Sequence, residues 1–408
     1  DAMVVGRFVG QQALAAVGGS TSTLINLLVG FFVGLSSGAT VVISQFYGAR
    51  KADKVHWAVH TSIAFSIIGG IAFMIIGLAG SPWALEAMKT PEDVMGHSVV
   101  YIRIYFLGII VNLIYNMGAG ILRAVGDSRR PLYFLIASCF TNIALDILLV
   151  AVLGMGVAGA AIATAASQFV GGGVPLLYFA RPNRSLLRLG KTKLDSRALL
   201  KACTNGSSEL MTNLSSSLVT VLYNFQLMQL AGEDGIAAYG VIMYVNFIFI
   251  AIFIGYSIGS APVVGYHHGA GNSTELKSLF RKSLLLVGAA GVALTAAAEA
   301  LALPLTKIFV GYDAALLAMT CRGFRLYSLS FLLTGFNIFS SGFFTALNDG
   351  FVSAVISFLR TLVFQTAVVL VLPALMGTDG IWLAIVVAEL LALAVSAWFL
   401  WRKRGKYR

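Results

Sequence analysis

Apolar runs of about 20 residues or more recur along the whole of this 408-residue chain. A helix rising about 1.5 Å per residue needs that length to cross about 30 Å of hydrocarbon. The stretch from Leu284 to Ala298 is continuously apolar or small, whereas the strands of a membrane barrel alternate over segments of about 10 residues. With 58% hydrophobic and 11% charged residues, the chain holds more apolar material than a soluble fold of this size hides. The fold class that follows is all-α and polytopic, with the bilayer as solvent.

The runs and their polar breaks predict eleven full spans, near 22–47, 57–80, 98–122, 132–153, 157–180, 203–230, 236–265, 283–303, 320–346, 350–373 and 380–401. Residues 1–5 read as the tail of one more, which makes twelve helices with the first largely missing. With that tail counted, alternate loops collect 21 of the 28 Lys and Arg. Basic loops stay inside, so this side is expected to be cytoplasmic, with both termini on it and the chain in the inner (plasma) membrane. The net charge of +11 then marks topology and contact with anionic membrane lipids, and no nucleic acid is expected as a partner. Cys139, Cys203 and Cys321 show neither CxxC nor CxxH spacing, so no metal site and no disulfide framework is expected.

The sequence also repeats itself. Gly34 to Ala49 aligns without a gap to Gly255 to Ala270, matching Gly34 with Gly255, Ser36 with Ser257, Gly38 with Gly259 and Gly48 with Gly269. Farther on, Gly120 pairs with Gly342, Ala124 with Ala346 and Asp127 with Asp349. Each half holds six helices, an even number, so the halves share one orientation. Parallel repeats of this kind place a substrate site near the midplane at their interface and transport by rocking. The expected organisation is an amino-terminal lobe over 1–180, a basic cytoplasmic linker over 181–201 and a carboxy-terminal lobe over 202–408. By the same alignment Asp1 corresponds to Leu222, so the sequence is expected to begin within its first helix.

The segment Ile121-Leu-Arg-Ala-Val-Gly-Asp-Ser-Arg-Arg-Pro131 carries an Arg-x-x-Gly-Asp signature followed by Pro, and Gly48-Ala-Arg-Lys follows the second helix. With the opening Asp1-Ala-Met-Val-Val-Gly, these resemble the multidrug and toxic compound extrusion (MATE) family over essentially the whole chain. The resemblance implies two six-helix lobes and export of small-molecule organic cations and drugs by antiport. The coupling ion would be H+ or Na+, with no other cofactor, and the protein is expected to act as a monomer.

Matched residue by residue, the resemblance assigns ion coupling to Asp1, to Tyr101 or Tyr105, and to Asn142 with Asp146. Spacing of four puts the Asn142 amide and the Asp146 carboxylate on one helix face, and an acid in mid-span is a functional candidate by default. Glu209 falls where some family members place a cation-binding acid, but the partner acid they carry on the tenth helix is missing from Leu332 to Asn337. Glu209, Met211, Asn213 and Tyr223 are therefore expected to meet substrate, with Met228, Met243 and Tyr239 as adaptable neighbours. Arg123, Gly126 and Asp127 read as a loop lock, with Arg123 or a neighbour pairing Asp127. Glu299 and Glu389 receive no role, and His267-His268 read as a helix end. An alternative within the same superfold is a lipid-linked sugar or polysaccharide flippase, which would need several cations in its cleft. Only Arg103, Arg322, Arg325 and Arg360 approach the spans. An enzyme is less expected, since no HExxH or GxSxG motif and no phosphate-cradling loop occurs and no catalytic residue can be named.

Overall fold

The computed structural model describes residues 2–18, 20–88, 90–180, 187 and 196–407. Its contacts divide the chain into two compact units, Asp1–Gly206 and Ser207–Arg408. The first contains α1 (Ala2–Phe8), α2 (Gln11–Gly18), α3 (Ser20–Gly48), α4 (Ala52–Ala87), α5 (Glu92–Ala124), α6 (Arg129–Asp146) and α7 (Gly156–Ala180). After α8 (Ser196–Gly269), which begins in the first unit, the second contains α9 (Ser273–Val310), α10 (Ala314–Ser328), α11 (Phe331–Ala346), α12 (Gly350–Phe358), α13 (Gln365–Met376) and α14 (Thr378–Arg402). Most of the predicted linker and Asp1 lie outside the described residues.

Nine helical stretches are each long and apolar enough to span a membrane among the described residues, and the bent pair α10 and α11 adds a tenth. Division of α8 at Gly232, whose φ of 64 and ψ of −149 are not helical, gives the eleventh. Most spans turn side chains outward: the most apolar part of the α6 span is only 11% buried within the protein. Such faces would drive a soluble protein to aggregate and are solvated here by acyl chains.

Three details depart from plain spans. The polar break expected between 230 and 236 narrows to a reversal centred on Gly232, a backbone conformation open chiefly to glycine. The span expected over 320–346 is bent by 49° between α10 and α11. There Ser328 Oγ donates to Arg325 O at 2.8 Å, a side-chain bond that competes with the helix ladder and bends it. Finally, α6 continues through a wide π-helical turn, Ile147–Val152, and α12 joins α13 through another, Leu359–Phe364.

The internal repeat is visible as repeated geometry. Where α3 ends, Lys51 N donates to Phe46 O with Arg50 at φ 56, and where α8 ends, Asn272 N donates to His267 O with Gly271 at φ 69. The later pair of turns behaves alike, with Asp127 N on Leu122 O beside Gly126 (φ 89) and Asp349 N on Phe344 O beside Asn348 (φ 60). Each turn closes its helix with a left-handed residue and a six-to-one bond, which satisfies carbonyls the helix leaves open. The matched glycines serve matched contacts: a methyl group on Gly120 would strike Ser36, and one on Gly342 would strike Ser257. Close packing of this kind between small residues stands in for the hydrophobic drive that lipid does not supply.

At the end of the second unit the chain folds back after α14. Lys406 Nζ donates to Asp349 Oδ2 at 2.6 Å, with Lys403 Nζ 3.7 Å away. The Tyr407 ring packs 4.9 Å from Phe280 and 5.3 Å from Phe343. Partial burial pushes the Asp349 carboxyl up, but the Lys406 hydrogen bond, the charges of Lys406 and Lys403 and the Val352 backbone N–H outweigh it and hold the group below its usual range.

Two expectations follow. A methyl group on Gly38 would meet the Ala202 carbonyl oxygen in the backbone of α8, whereas its repeat mate Gly259 has open space. Gly38→Ala should lose about 1–3 kcal/mol of stability, read as a lower Tm of the detergent-solubilised protein, while Gly259→Ala leaves Tm unchanged or slightly raised. The Asp349 lock has a lowered folded-state pKa, so its contribution is complete above the unfolded value near 4 and disappears as pH falls through the folded one. Between pH 6 and pH 3, thermal unfolding of Asp349→Asn should therefore be less pH-dependent than that of the parent chain.

Candidate functional sites in the two units

In the first unit the predicted coupling residues come together on three helices. Asp146 is 1% exposed at the last α-helical position before the π turn of its span. Tyr101, from α5, is hydrogen-bonded to Thr164 on α7 and lies within electrostatic reach of Tyr105 and Asp146. Asn142, one turn before Asp146, donates through Nδ2 to the same Thr164 hydroxyl at 3.4 Å. Tyr105 lies beside Gln168, one turn beyond Thr164. Tyr101 and Tyr105 are both buried. Val5 of α1 and Ala13 and Val17 of α2 complete the apolar wall around Tyr101, together with Val150 and Val157. Asp1 precedes α1 and lies outside the described residues.

This arrangement suits one cation or one proton. A carboxylate in hydrocarbon is costly unless it is protonated, paired or solvated by oriented dipoles. Hydroxyl and amide groups surround Asp146 here, and they can accept from a protonated acid or share a bound ion with a charged one. Thr164 and Gln168 were not singled out from the sequence. Their spacing of four inside an otherwise small and apolar run was the available signal.

The second unit solves the same problem differently. Glu389 on α14 is 1% exposed and receives Arg360 Nε at 2.8 Å on one oxygen and 3.0 Å on the other. Asn337 of α11 donates to Glu389 Oε2 at 2.7 Å and to its backbone O at 2.9 Å, and accepts from Ser396 Oγ at 2.9 Å. Arg360 stands in the second π turn. Tyr223, Tyr239 and Tyr327 close over this network, with Tyr223 and Tyr239 stacked at 4.9 Å. Glu209, on the first part of α8, is within electrostatic reach of Arg360, and its backbone carbonyl accepts from Asn213 Nδ2 at 2.8 Å. Asn337 thus occupies the stretch where the sequence reading found no acid, and the acid it meets comes from α14.

Beside the tyrosine stack is a cavity of about 500 Å³ lined by Thr220, Asn224, Tyr239, Met243, Tyr244 and Phe247, with Ile236 and Gly240. That size, and an apolar and aromatic wall with few polar groups, fit a small organic molecule. Of the expected substrate residues, Tyr223 supports this wall from behind while Glu209, Met211 and Asn213 lie outside the cavity lining.

Several other charges are paired near helix ends. Asp127 accepts from the Arg130 backbone N–H at 3.1 Å and pairs with Arg130 Nε at 3.3 Å, so the neighbour that locks this loop is Arg130, while Arg123 lies one turn back near Tyr115. Glu299 accepts from Ser328 at 3.1 Å and faces Arg325 at 3.8 Å, and Arg322 is paired with Asp379.

Known proteins were compared with this arrangement. The MatE family model matches residues 1–148 and 210–371. The probable multidrug resistance protein YoeA of Bacillus subtilis is 32% identical over 301 residues, which are 70% of this chain and 63% of that protein. A second Bacillus subtilis relative, the probable multidrug resistance protein YpnP, is 33% identical over 180 residues, or 44% of this chain and 39% of its own length. The chain thus spans less than two thirds of either relative. Among solved structures, one of MATE in complex with MaL6 superposes with a TM-score of 0.92 at 23% identity, covering 99% of this chain and 91% of that one. A MOP superfamily transporter from Pyrococcus furiosus, whose binding pocket is described as having reversed polarity, gives 0.91 at 23% identity over the same shares.

The Arg360 and Glu389 pair makes a prediction of its own. Arg360→Met leaves a buried carboxylate without its partner and should cost about 3–5 kcal/mol, whereas Arg360→Met combined with Glu389→Met should recover much of that loss. Unfolding of the three variants in one detergent measures the coupling.

Proposed function

The chain belongs to the MatE family, and on that premise we propose that it is a secondary active antiporter that exports organic cations and drugs. The observation that carries the reading is the buried Asp146 within reach of Tyr101 and one turn from Asn142, held in a protein of membrane-spanning helices. Protonation or sodium binding at Asp146 lets the first unit exist with its acid neutralised. A cationic substrate competes with that ion, directly or through α1. Export then requires that ion and substrate bind with different affinities in the outward-open and inward-open states, since only differential affinity moves such an equilibrium. The names of the Bacillus subtilis relatives, probable multidrug resistance proteins, support the substrate class.

In the second unit the charge of Arg360 is engaged by Glu389, which leaves Glu209 as the carboxylate on offer to a cation. Tyr239 and Met243 add the polarizable wall that planar cations favour. A phosphate-bearing cargo would instead need several unengaged cations within the spans, and of Arg103, Arg322, Arg325 and Arg360 the last three are each paired with an acid. We place the protein as a monomer in the plasma membrane with its basic loops in the cytoplasm.

Ethidium efflux from energised vesicles tests the assignment. Asp146→Asn should abolish gradient-driven efflux while the protein remains folded and inserted, and Thr164→Val should slow it by about two- to tenfold, the worth of the neutral hydrogen bonds it makes. Full-rate export by Asp146→Asn would remove Asp146 from the coupling role.

A further inference from the structure

Where the chain folds back after α14, it encloses a recess of about 240 Å³ lined by Lys277, Arg281, Arg404, Trp401 and Tyr407, with Phe280 and Leu400 at its base. Lys277 and Arg281 are four residues apart and so share one face of α9. Arg404 comes from the opposite side, stacked with its guanidinium 5.6 Å from the Trp401 ring. Among the described residues no carboxylate pairs with any of these three cations, although Lys403 and Lys406 just beside them are both taken by Asp349. Glu275, the acid in the first turn of α9, does not line the recess. Trp401 is 65% exposed at the end of a spanning helix, the depth at which indole rings meet lipid headgroups.

From this we infer that the recess is a binding site for the phosphate of an anionic phospholipid on the basic side of the membrane, with the acyl chains lying along Leu400 and Trp401. Three unpaired cations around a cavity far larger than a single water needs will hold an anion with several acceptor oxygens, as a phosphodiester has. A lipid supplies it because the recess opens at the end of two spans, where apolar side chains border the charges and the anionic leaflet concentrates its headgroups. The site is a product of the tail geometry. Tyr407, buried between Phe280 and Phe343, and the Lys406 bond to Asp349 hold Arg404 opposite Lys277 and Arg281.

The test uses the purified full chain in neutral detergent, with bound lipid counted by native mass spectrometry as phosphatidylglycerol or phosphatidylcholine is titrated. Phosphatidylglycerol should bind and raise Tm, and phosphatidylcholine should do neither. Each basic residue near the surface contributes about fivefold in affinity, so Lys277→Gln, Arg281→Gln and Arg404→Gln should each weaken phosphatidylglycerol binding about fivefold, and together about 100-fold. The pair Arg50→Gln and Lys51→Gln, basic and exposed on another loop, should leave it unchanged. Arg281→Lys, which keeps the charge, guards against loss through misfolding and should retain binding. Equal loss in the Arg50 and Lys51 variant, equal affinity for phosphatidylcholine, or saturation by inorganic phosphate that leaves lipid binding unaltered would each overturn the assignment.

Discussion

Charge in hydrocarbon is the constraint on which the rest of this structure depends. The bilayer accepts the long apolar spans without further provision, but every ionisable group among them needs a neighbour that neutralises or solvates it. The two units meet that need in opposite ways. Around Asp146 stand Tyr101 of α5 and, one turn back on α6, Asn142, which bonds to Thr164 of α7. At Glu389 the cancelling charge is built in, because Arg360 is a permanent resident. Two sequence repeats with the same turns, and the same close contact at Gly120 and Gly342, differ at the positions that carry charge.

Asp146 and Arg360, the partner of buried Glu389, both stand at π-helical turns in the fifth span of their own repeat. Asp146 precedes one such turn and Arg360 lies inside the other. A wide turn loosens the backbone ladder and re-aims side chains, which explains its frequency at functional sites. In the first unit the buried acid stands where the helix is widest. In the second, the same device lets Arg360 reach Glu389 on a different helix.

Much of this was legible in the sequence for definite reasons. Hydropathy located the spans because the bilayer sets their length, and the internal alignment located the turns because Gly126 and Gly271 hold left-handed conformations that recur at Asn348 and Arg50. The family resemblance pairs Asn142 with Asp146, and their spacing of four, which returns to one helix face, agrees with it. The second network was not readable in this way. Arg360 lies 29 residues from Glu389, and Ser396 lies 59 residues from Asn337, so nothing local connects them. The 49° bend between α10 and α11 was hidden for a similar reason, as it has no proline or glycine and follows a serine bonded within its own helix.

The central claim is that transport is coupled to neutralisation of Asp146 by an ion. Its most direct measurement is uphill accumulation of ethidium in proteoliposomes containing only this protein, with a pH gradient and a sodium gradient imposed separately. The account predicts that one of the two gradients alone drives accumulation, that dissipating it stops transport, and that ethidium added without a gradient moves the coupling ion in return. Accumulation that ignores both gradients, or ethidium movement with no counterflow of either ion, would contradict it.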